Sequence, residues 1–111
     1  MRTRRETFDE LVLDAADRLR PTLGARLDDI DIAVEEVPPT DPAPWEERVA
    51  ALGRAHPRTA SRRHRVVIYR RPVEARARDP RELAAIVEDV VVEQLAALLG
   101  VPPEELDPDR D

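Results

Sequence analysis

The chain has no cysteine, no lysine and only three aromatic residues, Phe8, Trp45 and Tyr69. Without thiols there are no disulfides, no thiolate metal ligands and no cysteine nucleophile. With so few rings, the core must be assembled from Leu, Val, Ile and Ala. No run approaches the ~18 consecutive apolar residues of a membrane-spanning helix. The basic start, Met1 to Arg5, is not followed by the apolar stretch of a signal peptide. A cytoplasmic location without membrane contact is therefore expected.

What is present suffices for one domain. A length of 111 residues, 41% hydrophobic and 38% charged, suits a folded unit with a solvated surface and argues against disorder. The domain is expected to span residues 1–111, with 1–6 and 107–111 as frayed ends.

The net charge of −6 conceals a segregation. Residues 28–47 carry eight acids and no base, and residues 48–78 carry ten arginines against Glu74 alone. Residues 79–111 return to ten acids against Arg81 and Arg110. Overall acidity argues against nucleic acid as the main partner. The Arg-rich segment 58–71, with Arg62 and Arg63 as candidate contacts, has two readings. It can pair with the flanking acidic blocks, which is the simpler account, or it can contact phosphate.

Periodicity outlines the elements. Phe8, Leu11, Val12, Ala15, Ala16 and Leu19 form one apolar stripe, predicting a helix from about Thr7 to Arg20, with Thr7 and Glu10 at capping-box spacing. A short helical turn near Thr22–Leu27 follows. Ile30, Ile32 and Val34 alternate with polar or small residues, predicting a strand over 30–37 that Pro38 and Pro39 end. Residues 40–47 read as a Pro-rich loop. A short edge strand is expected near Val49–Arg54, and a polar loop over His56–Arg63. The run Val66 to Tyr69 predicts a buried strand from Arg65 to Arg70 or Arg71, stopped by Pro72.

Asp79, Pro80 and Glu82 announce a helix reaching Leu99, with Gly100 placed for a left-handed cap. Its apolar positions cover more than half its circumference, so it must be largely buried. Residues Pro103–Leu106 can form a last short turn. This order of elements predicts an α+β fold, helices on one side of a small sheet.

The strand followed by "IYRRPVE" (Ile68 to Glu74), the capped helix, and Gly-Val-x-x-Glu-x-Leu (Gly100 to Leu106) together resemble the small bacterial zincin-like metallopeptidase family. The first helix and "IDIAVEEVP" fit the same layout. The resemblance implies a minimal zincin fold: a three- or four-stranded sheet packed against an N-terminal helix and a long C-terminal helix. In that family the long helix carries His-Glu-x-x-His, then Gly three residues on and a third ligand after it. Two imidazoles one turn apart bind zinc, and the Glu acts as general base on the metal-bound water.

Aligned on Gly100, the corresponding positions here are Glu93, Gln94, Ala97 and Pro103. None matches the pattern, and no histidine lies anywhere in 65–111 to restore it in another register. The expectation is a degenerate site without zinc or other cofactor. The domain would then be a catalytically inactive protein-binding or scaffold module, with oligomerisation compatible.

Other candidates are weighed beside this. Asp89 and Glu93 lie one turn apart and, with a loop histidine (His56 or His64), could form a non-standard metal site for a hydrolase. Like charges at that spacing more often mark a solvated face or pair with nearby arginines such as Arg70 or Arg71. Thr59 and Ser61 carry no signal of a hydrolase triad. Trp45 either caps the small core or anchors a partner.

Overall fold

The computed structural model describes residues 1–39 and 51–108. Helix α1 spans Arg4–Asp17 and the short helix α2 Arg20–Leu23, followed by a 3-10 segment over Gly24–Asp29. Strand β1 covers Ile30–Glu35, β2 Gly53–His56 and β3 His64–Tyr69. Helices α3 (Arg70–Arg76), α4 (Pro80–Leu99) and α5 (Pro103–Leu106) complete the chain. The protein is α+β, as the periodicity predicts.

Helix α1 begins three residues before the expected position. Its cap is Thr3, whose hydroxyl accepts from the Glu6 backbone N–H at 3.1 Å while the Glu6 carboxylate reaches back to the Thr3 N–H. Thr7 and Glu10 have the same spacing but lie inside the helix. Residues 3–6 are thus its cap and first turn. The predicted stripe is otherwise the observed one: Phe8, Val12, Ala15 and Ala16 are buried.

The described strands form a three-stranded sheet of order β1-β3-β2, with β1 parallel and β2 antiparallel to β3. The edge strand lies a few residues beyond the expected Val49–Arg54, of which residues 49 and 50 fall outside the described residues. His56 consequently closes a strand instead of opening a loop.

The chain does not simply stop at Pro72. It turns directly from β3 into α3, with Pro72 in the helix's first turn. There the backbone N–H has no helical acceptor, so proline costs nothing. Arg70 secures this junction. Its guanidinium donates to both Glu36 carboxylate oxygens, at 3.3, 3.1 and 2.6 Å, and to Glu74 at 2.9 Å.

Helix α4 follows its sequence signals closely. The Asp79 carboxylate accepts from the Glu82 N–H at 2.8 Å, and Gly100 takes a left-handed φ of 70°. The Val101 N–H then returns to the Ala96 carbonyl at 3.0 Å. This helix packs on β2, β3, α1 and α3. The core joins Phe8 and Val12 of α1, Val66 and Ile68 of β3, and Val87, Val91 and Leu95 of α4. No described helix is long and apolar enough to cross a membrane.

The charge segregation resolves into pairing across the sheet and at its ends. Arg63 approaches Asp31 at 3.6 Å and also donates to the Asp28 carbonyl, and Arg65 meets Glu35 at 3.0 Å. Arg70 and Arg71 both reach Glu36.

Candidate functional site

Two faces of the sheet need to be distinguished. Val66 and Ile68 point into the helix-covered core, so by strand alternation Arg65, Val67 and Tyr69 point to the other side. Directly paired residues share a face. Ala55 and Gly53, opposite Val66 and Ile68, therefore face α4. His56 and Arg54, opposite Arg65 and Val67, face away from it.

On the α4 side, Gln94 and Val90 pack closely against the edge strand at Gly53. A Cβ on Gly53 would lie 2.9 Å from Gln94 Cγ, 2.9 Å from the Val67 carbonyl oxygen and 3.0 Å from Val90 Cγ1. Gln94 thus sits half-buried, its methylene chain against the backbone of the edge strand. Glu93 and Ala97 are exposed on α4, as is Asp89, and Pro103 is the half-buried first residue of α5. Arg70, a candidate partner for Asp89 or Glu93, is instead committed to Glu36 and Glu74.

The two histidines are not brought together. His64 begins β3 opposite Ile30, on the core-side alternation with Val66, and its Nδ1 accepts from the Arg58 N–H at 3.0 Å. His56 lies on the opposite face. Neither joins Asp89 and Glu93: His56 is separated from α4 by the sheet. His64 is four residues along β3 from Ile68, the partner of Gly53. No group of three or more His, Asp or Glu among the described residues is placed to hold a metal ion. Trp45 lies outside the described residues.

The face away from α4 holds a cleft of about 790 Å³. Its floor is Val67 and Tyr69, and its walls include Arg54, His56, Arg65 and the connection carrying Arg62 and Arg63. Asp31 and Glu35 line one side and are the partners of Arg63 and Arg65. Partial burial, and then the charges of Arg54, Arg65 and Arg62, hold the His56 imidazole below its ordinary pKa, with Glu35 opposing.

Arg62 and Arg63 emerge from the sequence as candidate contacts, but the contribution of Arg54 and His56 does not. The signal was period two: Arg54 and His56 alternate with small residues, as Arg65, Val67 and Tyr69 alternate with the core positions. An edge strand assigned too early hides it.

The family model for zincin-like metallopeptidases matches residues 27–110, from the end of the 3-10 segment through the sheet, α4 and α5. No curated protein matches the chain. The match leaves out α1, which packs on α4, but takes in the three described strands and helices α3, α4 and α5. This chain belongs to the zincin-like metallopeptidase family.

Proposed function

We propose that this domain keeps the zincin frame without its hydrolytic chemistry, and acts in the cytoplasm as a protein-binding or scaffold module. The observation that carries the reading is the set of side chains at the ligand and base positions of α4 and α5. A catalytic zinc needs three protein donors and an open fourth position. Glu93 offers a carboxylate, but the Ala97 methyl and the Pro103 ring have no lone pair to give. Gln94 is a neutral amide and cannot take a proton from water as a carboxylate does. These residues do not fit the metal.

The packing of Gln94 on Gly53 supports the same conclusion, because the base position is used as a helix–strand contact. A non-standard site from Asp89, Glu93 and a histidine has no comparable support, since His56 faces the other side of the sheet and His64 stands four residues along β3 from the Gly53 partner Ile68, accepting from the Arg58 N–H.

The test is metal analysis of the purified chain after equilibration with zinc, together with a peptidase assay on an unfolded protein substrate. The expected result is zinc well below one ion per chain and no cleavage. Stoichiometric zinc, lost together with a chelator-sensitive peptidase activity, would falsify the proposal.

A further inference from the structure

The connection between β2 and β3 is closed at its neck by an imidazole. Residues 57–63 leave the sheet after His56 and rejoin it at His64, where the Arg58 N–H donates to His64 Nδ1 at 3.0 Å. Inside the connection the Thr59 N–H donates to the Arg62 carbonyl at 3.0 Å, and the Ser61 N–H to the Thr59 hydroxyl at 3.3 Å. Every residue from Pro57 to Arg63 is exposed, whereas His64 is half-buried on β3 opposite Ile30. The neck bond thus ties a solvated turn to a paired strand. What it holds in place is a wall of the open-face cleft, lined by Pro57, Thr59, Ser61, Arg62 and Arg63.

An imidazole nitrogen accepts a hydrogen bond only while it carries no proton. In the closed neck the ring proton of neutral His64 therefore sits on Nε2. A second proton, added at Nδ1, would set one donor against another. The charged groups beside the neck are of different kinds. Arg58, Arg62 and Arg63 of the connection line one pocket with Asp29 of the 3-10 segment. Asp28 is paired with Arg20, Asp31 on β1 with Arg63, and Arg65 on the opposite face of β3 with Glu35. Guanidinium groups stay charged and free carboxylates titrate near pH ~4, whereas histidine changes charge between pH ~5 and 8. His56 is the other histidine next to the connection, and Arg62 is among the charges that act on it.

We infer that His64 is a pH-sensitive latch: its neutral imidazole holds the 57–63 connection closed, and protonation at Nδ1 releases that connection and with it one wall of the open-face cleft. One neutral hydrogen bond shifts a closed-to-open ratio by roughly fivefold. The release is therefore a local shift of population, and the sheet stays folded.

The experiment follows the ring protons and backbone amides of the full chain by NMR from pH ~8 to ~5. The amides of Arg58, Thr59 and Ser61 should move with the same midpoint as the His64 ring, and the heteronuclear NOE of Ala60 should fall on the acid side. His64→Asn places an amide oxygen near the Nδ1 position and cannot titrate, so it should keep the loop amides at their high-pH positions throughout. His64→Ala should hold them at their low-pH positions even at pH ~8, with its fold checked by circular dichroism. His56→Gln should leave the response intact.

Two results overturn the assignment. One is a His64 ring that titrates while the Arg58 amide stays still, a comparison made on the wild-type chain and independent of any variant's folding. The other is a loop response that survives in His64→Asn or vanishes in His56→Gln, which would place the trigger on another group.

Discussion

At Gly53 the absence of a side chain sets how closely β2 approaches α4. Two of the atoms a Cβ would strike, the Val67 carbonyl oxygen and Val90 Cγ1, belong to a paired strand and a buried side chain that cannot swing aside. Gly53→Ala should therefore destabilise the protein by about 1–3 kcal/mol, read as a lower urea midpoint. Glu36 is a second residue with a defined consequence. The Arg70 hydrogen bond, and after an opposing effect of burial the charges of Arg70, Arg5 and Arg71, hold its carboxyl below the ordinary value of 4.5. A carboxyl with a depressed folded-state pKa adds stability above its unfolded pKa, and that contribution is lost as pH falls through the folded value. Wild-type protein should exceed Glu36→Gln in urea midpoint at pH ~7, and the difference should shrink once the pH drops below about 4.5. A difference that stays constant across that range would show that Glu36 acts through packing alone.

Among the elements, caps decide where helices begin, and identical spacings can mislead. Thr3/Glu6 and Thr7/Glu10 read alike in sequence, and only the first closes a capping box. Thr3→Ala should cost about 1 kcal/mol of stability in thermal melts, whereas Thr7→Ala should be close to silent. Helix α4 was legible from Asp79 to Gly100 because local chemistry marks both its ends and its apolar face is continuous. The 70–76 helix was not legible. Pro72 looks like a strand terminator, and its tolerance in a first turn is visible only once the chain is known to bend at Tyr69. The edge strand was blurred for another reason: β2 has four residues, too few for alternation to stand out. That Glu93, Gln94 and Ala97 share α4 could be read from sequence, because the helix is marked at both ends. The cleft could not, because it is assembled from three strands whose register no local pattern specifies.

Across the whole molecule, stability resides in the shared core of α1, α4 and the sheet, not in the exposed ion pairs that join the segregated charges. Arg63–Asp31 and Arg65–Glu35 are each about half exposed, where such pairs contribute ~0–1 kcal/mol and salt screens them. Leu95 is fully buried on α4, and its truncation to alanine should cost about 2–5 kcal/mol. That is a large part of the roughly 5–15 kcal/mol that holds a domain folded. Raising sodium chloride to about 0.5 M should move the urea midpoint far less than Leu95→Ala does. A comparable shift from salt would place the fold's cohesion in its surface charge. The separation of the two imidazoles by the central sheet has a practical use. Each ring proton signal is a private reporter, His56 for the outer surface and His64 for the edge beneath the helices. An occupant of one compartment would register on a single resonance and leave its counterpart still.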